Sequence, residues 1–394
     1  MAIPESRSLY GSVLSRHGVS PRSTSILHFG PAHPAAHGVL RSILWLAGEW
    51  VTAYQITLGL LHRGTEALTE LRHLNQCVGY MDRLDYVSMV AGEHGFCMAV
   101  ESGLGVLCGV GVCVHRIMLL EINRMLNHLL NVACHAGDLG CLLWLLWFFE
   151  DRELLYSVLA WCSGARLHST LMIPGGTRGW LTTSQRHDIM LAVHQVTLHI
   201  EVSLLNGVYS RIWMLRLTGI GVCGLSDIGL SGVMLRSTGI AWDLRVAVGY
   251  EAYTMLNTVV CCGSLGDSMD RVLLRCFEIV SSAQLVVQSC MLQSMSQPVE
   301  CHSNSSSMEQ VILMFRTGPA SILHSMTSTS YSEVPKGELL ISLVCVSGTT
   351  WRARFRCPDL LHLLALQALV VGVVYADVVA LVGTIDVVFG AVDL

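Results

Sequence analysis

The sequence predicts an α+β fold: a small β element near the N-terminus, a central helix bundle and a late β element. Between residues 25 and 59, apolar and polar residues alternate between glycine and proline breaks, which is typical of strands. From about residue 65 to 165, leucines recur at helical spacing, with polar side chains between them. Two later runs, residues 337–347 and 349–357, are again rich in β-forming side chains.

The same patterns order the elements along the chain. We expect residues 1–28 to be an N-terminal arm, 29–60 a small β-rich region and 61–394 one large continuous domain. Helix candidates in that domain are residues 65–76, 85–101, 116–135, 145–161, 185–217 and 267–294. Between them we predict a break at residues 172–179, a loop with a short strand at 229–245 and an exposed loop at 296–307.

The composition indicates that much of the surface of the chain is covered by a membrane or by partner subunits. Hydrophobic residues make up 52% and charged residues only 13%, with a mean hydropathy of +0.53; about 25% charged is usual for a soluble domain. Residues 363–382 are long enough to cross a membrane, but they contain Gln367 and Asp377. A subunit buried among partners, without a spanning helix, is therefore the favoured interpretation.

Charge and cysteine usage exclude several classes of protein. The net charge of −5 gives no indication of nucleic-acid binding. The fifteen cysteines include no CxxC pair, which argues against zinc ribbons and against iron–sulfur clusters held by this chain. Lys336 is the single lysine among 24 basic residues, a skew that suggests a nucleotide-biased, organellar gene. Residues 1–28, rich in Ser and Arg, fit either a targeting remnant or an arm on a neighbouring subunit.

The stretch GPAHPAAHGVLR, residues 30–41, is the most informative part of the chain. It carries His33 and His37 four residues apart, and Pro31 and Pro34 prevent a helix between them. A rigid loop that presents two imidazoles is hard to explain by packing alone. Taken alone, the residues leave His37 open equally to a site role and to bracing the loop.

One predicted helix carries a narrow polar stripe on an otherwise apolar surface. Six polar side chains fall within an arc of about 100°: Glu121, Arg124, His128, Asn131, His135 and Asp138. Such a helix is buried, and its stripe must face partners. For the first three residues an internal hydrogen-bond network is the favoured interpretation, with Glu121 and Arg124 pairing at i, i+3. Asp138, beside two glycines, is the better functional candidate.

Three blocks together, residues 30–41, 59–71 and 80–89, resemble the 49-kDa-type subunit of respiratory complex I, a chain that forms much of the quinone-reduction site. Further matching islands reach residue 394, and the weak regions are 177–227 and 301–331. Departures inside the motifs include Ala32 for a usual glutamine, Ile173 for a usual arginine, and Ala391 and Leu394 in the tail. The resemblance extends to the large subunit of nickel–iron hydrogenases and implies a fold of that kind.

The resemblance implies specific roles for three residues. His37 and Tyr86 match the residues that hold and protonate the quinone headgroup, and Asp138 matches the partner of that histidine. Quinone reduction adds two electrons and two protons, so a donor at each carbonyl suits the chemistry. The sequence supplies suitable residue types but does not by itself bring these three together.

Two further residues, Arg63 and His168, match family positions near the terminal iron–sulfur cluster, which a neighbouring subunit binds. A cation or titrating histidine raises the reduction potential of a nearby cluster. The alternatives are a salt bridge from Arg63 to Glu66 and a helix-end hydrogen bond for His168. Asp377 is either a site-lining residue or, as we favour, a structural brace.

The resemblance thus implies a peripheral-arm subunit of proton-pumping NADH:ubiquinone oxidoreductase, active only within the complex. Ubiquinone is the expected substrate, and no metal is expected on this chain. The expected partners are the subunit carrying the terminal 4Fe-4S cluster, the 30-kDa-type subunit and the membrane arm. The expected location is the matrix side of the mitochondrial inner membrane, or the cytoplasmic face of a bacterial membrane.

Two alternatives remain open at this stage. A membrane-bound nickel–iron hydrogenase needs two CxxC pairs around its metals. The region near Cys77 has one cysteine and the C-terminal tail has none, so this alternative is disfavoured. The other is a purely structural assembly subunit. NADH itself is not expected to bind, because no GxGxxG stands between a strand and a helix.

Overall fold

A computed structural model describes residues 24–32, 38–72, 74–205, 229–295, 308, 325–346 and 349–394. The predicted α+β fold class and its three-part order are confirmed. The strands are β1 (Thr24–Phe29), β2 (Arg41–Ala47), β3 (Trp50–Thr57), β4 (Met172–Ile173), β5 (Gly176–Thr177), β6 (Met326–Val334), β7 (Gly337–Val346) and β8 (Thr349–Arg356). The helices are α1 (Thr65–Glu70), α2 (Leu74–Met81), α3 (Met89–Leu104), α4 (Val110–Asp138), α5 (Leu142–Ser163), α6 (Thr183–Leu205), α7 (Gly232–Arg236), α8 (Leu244–Ala247), α9 (Ser268–Met295), α10 (Pro358–Leu369), α11 (Tyr375–Ile385) and α12 (Phe389–Val392).

The N-terminal sheet pairs β1, β2 and β3 in antiparallel order. Its buried face shares one hydrophobic cluster with the C-terminal helices, so that Leu44 and Val51 belong to the same core as Leu366 and Leu381. The Val51 amide also donates to the Val373 carbonyl at 2.9 Å. The N-terminal sheet and the C-terminal helices therefore fold against each other. The residues of the predicted arm before Thr24 lie outside the described part.

The centre of the molecule is the long helix α4, which packs against α5 and α9. Most of its side chains are buried, because it is apolar on nearly every face. The helices predicted at 116–135 and 145–161 are present and extend slightly further, and the one predicted at 267–294 is present with its limits shifted by one residue. Among the described residues, α9 is the one helix long and apolar enough to cross a membrane, and 67% of its apolar window is buried inside the protein.

Some predicted helix limits are wrong. The helix predicted at 65–76 is two helices, α1 and α2. The helix predicted from residue 85 begins at Met89, because the Asp85 carboxylate accepts from the Val87 amide at 3.2 Å and forms a local turn. No limits were predicted for residues 363–382, where a spanning helix was disfavoured; they divide into α10 and α11 around Gly372, whose φ is +85°.

The late sheet contains β6, β7 and β8, of which β6 was not predicted. Its sequence, MTSTSYSEV, places serines on the buried face, where Ser330 Oγ donates to the Gly95 carbonyl at 2.7 Å. A Cβ on Gly95 would lie 3.1 Å from Ser332 Oγ, so α3 approaches the strand too closely for larger side chains. The buried face is small and polar, and the usual apolar signal for a strand is therefore missing.

The stretch 229–245, predicted as a loop with a short strand, contains the short helices α7 and α8 instead. Asp243 caps α8, since its carboxylate accepts from the Arg245 amide at 2.9 Å. The end of the helix predicted at 185–217 and the loop predicted at 296–307 lie outside the described residues.

Candidate functional site

A cavity of about 390 Å³ lies between the C-terminal part of α4, helices α10 and α11, and the turn before α3. Its walls are largely apolar. The polar side chains that reach it are Tyr86, Asn131, His135, Asp138 and Asp386. Apolar walls with a few converging polar groups are typical of a small-molecule site. Two of the three residues with implied roles at a quinone site, Tyr86 and Asp138, thus line the same cavity.

Tyr86 lies in the turn between α2 and α3, and its side chain is 40% exposed. The Asp85 turn described above fixes the backbone on which Tyr86 is carried. Burial raises the pKa of Tyr86, while the positive charge of Lys336 acts in the opposite direction. The phenol is therefore a hydrogen-bond donor at physiological pH.

Asp138 is the last residue of α4 and lies beside the glycine-rich end of that helix. The opposite wall comes unusually close at Gly383: a Cβ there would lie 2.7 Å from His135 Nδ1 and 3.6 Å from Asp138 Oδ2. Asn131 Nδ2 donates to the Gly383 carbonyl at 2.9 Å and holds the two walls together. The position of α4 relative to α11 thus depends on a residue without a side chain.

His135 lines the same cavity one turn before the end of α4, and it is almost fully buried. Burial, with a smaller effect from Arg275, lowers its pKa to about 3. The imidazole is therefore neutral at physiological pH. The sequence analysis placed His135 on the same polar stripe as Asp138 but gave this histidine no role at the site.

Asp386 is a lining residue that the sequence analysis missed. Its φ of +60° places it in the left-handed region, which ends α11 and turns the chain along the cavity. Asn127 Nδ2 donates to Asp386 Oδ2 at 2.8 Å, and Arg275 Nη2 donates to the neighbouring Thr384 carbonyl at 2.6 Å. These bonds fix the wall from behind.

The rest of the α4 stripe forms the internal network that the sequence favoured. Glu121 Oε2 lies 3.3 Å from Arg124 Nε, which confirms the predicted i, i+3 pair. Arg124 Nη2 also donates to the Glu333 carbonyl at 2.7 Å. His128 Nε2 lies 2.9 Å from Glu278 Oε2, and burial lowers the pKa of this histidine. These contacts join α4 to α9 and to β6.

Arg63 and His168 both interact with residues of the turn that precedes Tyr86. Arg63 Nη2 donates to the Arg83 carbonyl at 2.8 Å. His168 is exposed and lowers the pKa of Asp82 electrostatically, although burial raises that pKa overall. Residues 82–86 therefore connect these two positions with the cavity.

The predicted alternative for Arg63, a salt bridge to Glu66, is wrong. Glu66 instead accepts from the Phe355 amide at 3.1 Å and lies 3.6 Å from Arg352. These contacts bind α1 to the late sheet.

The remaining candidates are placed as follows. His33 and His37 lie outside the described residues. Asp377 is in the first turn of α11, and it is not among the described residues that line the cavity. Within the described ranges, no group of three or more His, Cys, Asp and Glu side chains could hold a metal ion.

Comparison with known proteins identifies the class to which this fold and cavity belong. Residues 138–394 match the family described as the 49 Kd subunit of respiratory-chain NADH dehydrogenase. The NADH-ubiquinone oxidoreductase 49 kDa subunit of Acanthamoeba castellanii is 39% identical over 383 residues, covering 93% of this chain and 95% of that protein. NADH dehydrogenase (ubiquinone) iron-sulfur protein 2 of Arabidopsis thaliana is 40% identical over 386 residues, 93% of this chain and 97% of that protein.

A bacterial relative extends the comparison. An NADH-quinone oxidoreductase subunit from Wolbachia sp. subsp. Brugia malayi is 38% identical over 391 residues, covering 95% of this chain and 100% of that protein. These proteins are subunits of multi-chain oxidoreductases. The chain belongs to the 49 kDa subunit family of respiratory-chain NADH dehydrogenase. The resemblance seen in the sequence is thus confirmed, and the comparisons give the hydrogenase alternative no support.

Proposed function

We propose that this chain forms the quinone-reduction site of a proton-pumping NADH:ubiquinone oxidoreductase, in the peripheral arm of the complex. The observation that carries the proposal is the shared cavity of Tyr86 and Asp138, which are 52 residues apart in the chain. Apolar walls suit a lipid-soluble ring, and the polar groups suit its two carbonyl oxygens.

The chemistry follows from the groups at the cavity. Tyr86 donates a hydrogen bond to one carbonyl, and its proton passes to that oxygen as the ring is reduced. His37 serves the second carbonyl by resemblance to the family, and Asp138 orients that histidine and favours its charged form. Two protons and two electrons convert the quinone to the quinol.

The electrons come from a partner. An iron–sulfur cluster bound by a neighbouring subunit supplies them when the complex is assembled. Arg63 and His168, which act on the Asp82–Arg83 turn, face that subunit in our proposal. A positive charge there raises the potential of the cluster, because it stabilises the added electron.

The chain sits next to the cluster-bearing subunit, the 30-kDa-type subunit and the membrane arm in this proposal. NADH is oxidised elsewhere in the assembly. We assign the chain to the matrix side of the mitochondrial inner membrane, because most of the relatives named above are ubiquinone-type subunits from eukaryotes, with the cytoplasmic face of a bacterial membrane as the equivalent position. The sparse charge of the chain agrees with burial among partners.

The test is Tyr86→Phe in the intact complex. The change removes one hydroxyl and little volume, so the complex should assemble. We expect quinone reduction to fall by about two orders of magnitude, while NADH oxidation by an artificial acceptor persists. The matched control is Tyr331→Phe, because Tyr331 is an exposed tyrosine on β6 that does not line the cavity. Unchanged quinone reduction in fully assembled Tyr86→Phe complex contradicts the proposal and favours a purely structural subunit.

A further inference from the structure

The single lysine of the chain is buried behind Tyr86. Lys336 lies in the turn between β6 and β7, and its side chain is 0% exposed. Every other basic residue among the 24 is an arginine. Lysine is almost never fully buried unless it is paired. The one lysine of a chain whose other cationic side chains are arginines thus occupies a position that is shielded from bulk solvent.

Two carboxyl groups surround this ammonium group. Lys336 Nζ lies 2.6 Å from Asp85 Oδ1 and 4.0 Å from Asp359 Oδ1. Asp85 also accepts from the Ser88 hydroxyl, and Asp359 Oδ1 accepts from the Val388 amide at 2.9 Å. The cluster therefore joins three separate parts of the chain: the turn before α3, the β6–β7 turn and the start of α10.

This cluster lies directly behind the wall of the quinone cavity. Asp85 is the neighbour of Tyr86, and Asp359 is bonded to the backbone of Val388, which lines the cavity. A second, small cavity of about 30 Å³ is bordered by Asp85, Ser88 and Asp359. That volume has room for about one water molecule.

The charges of the cluster act on Tyr86 in opposite directions. The ammonium of Lys336 favours a phenolate at Tyr86, and the carboxylates of Asp85, Asp359 and Asp386 oppose it. These four charged groups come from the β6–β7 turn, the turn before α3, the start of α10 and the residue that ends α11. They are the charges that shift the pKa of the Tyr86 phenol. A phenolate formed at Tyr86 adds negative charge to a site that already has more carboxyl groups than cations. It therefore draws a proton from the cluster.

Lysine and arginine differ in one property that matters here. A guanidinium keeps its protons at any physiological pH, whereas an ammonium can release one. Asp359 supplies a second exchangeable proton, because burial raises its pKa to about 7, with Lys336 opposing the shift. Burial disfavours the charge of Lys336, but Asp85, Asp359 and Asp386 outweigh that effect and raise its pKa. Lys336 thus holds its proton at rest, and Asp359 is the group of the cluster that releases a proton most readily near neutral pH.

We propose that Asp85, Lys336 and Asp359 form a proton store that restores Tyr86 after each reduction of quinone. The inference rests on the role proposed above for Tyr86. The O–H bond of Tyr86 breaks as an O–H bond forms on the quinone. One proton then leaves the store and re-forms the Tyr86 hydroxyl, and water returns a proton to the store. No electrons move in this second step.

The decisive variant is Lys336→Arg in the intact complex. It keeps the positive charge beside Asp85 but cannot pass a proton from Asp359 on towards Tyr86, because a guanidinium does not deprotonate. We expect quinone reduction to fall at least about tenfold, while NADH oxidation by an artificial acceptor is unchanged. Arg116→Lys is the matched control, since Arg116 is a buried cation between Glu101 and Glu251, away from the cavity. It measures the general cost of exchanging a buried cation.

Asp359→Asn provides an independent test that is nearly isosteric. Quinone reduction by the complex should lose the part of its pH dependence that lies near pH 7, the value to which the pKa of Asp359 is raised. If Lys336→Arg prevents assembly, this variant decides the question. A normal rate and an unaltered pH profile in the assembled variants overturn the inference.

A double variant separates this inference from the proposed function. If Lys336 acts through Tyr86, Tyr86→Phe with Lys336→Arg is no slower than Tyr86→Phe alone. Losses that multiply would show that Lys336 affects the complex by another route and would overturn the inference. Normal quinone reduction in Tyr86→Phe alone would instead contradict the proposed function itself.

Discussion

Tyr86 and Asp138 line one cavity, although Tyr86 lies in the turn before α3 and Asp138 ends the 29-residue helix α4. Their meeting depends on the third wall, which α11 and the following turn provide. Asn131 on α4 bonds to Gly383 on α11 at 2.9 Å and fixes that wall. The cavity is therefore a product of distant segments, and substitutions where they meet should alter it without replacing any of its polar residues.

Gly383→Ala tests this close approach. The added Cβ would lie 2.7 Å from His135 Nδ1, so α4 and α11 must separate or the imidazole must move. We expect the KM for quinone to rise about tenfold, equivalent to about 1.4 kcal/mol, in steady-state assays of the complex. Gly109→Ala is the control, because Gly109 has φ −66° and a Cβ added to it would meet nothing within 4 Å. An unchanged KM in Gly383→Ala would show that the wall yields freely.

Arg236→Ala tests the buried charge network that joins α7 to α9 and β6. Arg236 lies 2.8 Å from Glu278 and 2.7 Å from Glu333, and all three side chains are buried. Its removal leaves two carboxylates without their cation, which costs about 3–5 kcal/mol. We expect little assembled complex and a markedly lower inactivation temperature. Arg352→Ala, at a surface pair that is 59% exposed on the arginine side, should cost less than about 1 kcal/mol. Equal effects of the two variants would contradict this account.

His115 predicts a pH dependence of stability. Its Nε2 donates to the Gly179 carbonyl at 2.9 Å, its Nδ1 accepts from Gln293 at 3.0 Å, and burial lowers its pKa to about 4. The unfolded chain therefore binds a proton at this site between pH 6.5 and about 4, where the folded chain does not. The stabilising effect is fully present above the unfolded pKa and is lost as pH falls through that window, at about 1.4 kcal/mol per pH unit.

His115→Gln should make the inactivation temperature of the complex less sensitive to acid. The variant and the parent are each compared at neutral and at mildly acidic pH, so that the lost stacking of His115 on Trp180 cancels. His135 and His362, whose pKa values burial lowers to about 3, remain in the variant and leave part of the acid sensitivity. An identical pH dependence in the variant and the parent would show that His115 is not the group responsible.

Arg63→Met tests the proposed position of the partner's cluster. Loss of a nearby positive charge makes the cluster harder to reduce. We expect its midpoint potential to fall by about 40 mV, which corresponds to about 1 kcal/mol for one electron. A redox titration followed by electron paramagnetic resonance measures it. Arg63→Lys keeps the charge and should restore the potential, whereas an unshifted potential in Arg63→Met would place the cluster elsewhere.

The local rules of the chain determined most of its helices. A strongly periodic, almost wholly apolar surface predicted α4, α5 and α9, because such segments have no other way to bury their side chains. The same rules failed at β6, where serines occupy the buried face because the glycines of α3 lie against it. At residues 363–382 the sequence disfavoured a spanning helix without deciding the element, and one turn around Gly372 divides the run into two helices.

The sequence by itself determined the family, the fold class and the residue types able to donate protons, because each of these can be recognised from local motifs and periodicity. Only the tertiary structure decided which of those residues meet. Tyr86 and Asp138 share a cavity because α4, α11 and the turn before α3 converge, and Lys336 meets Asp85 and Asp359 through packing of the β6–β7 turn. Contacts between distant segments depend on how whole elements pack, and no local pattern in the chain records that.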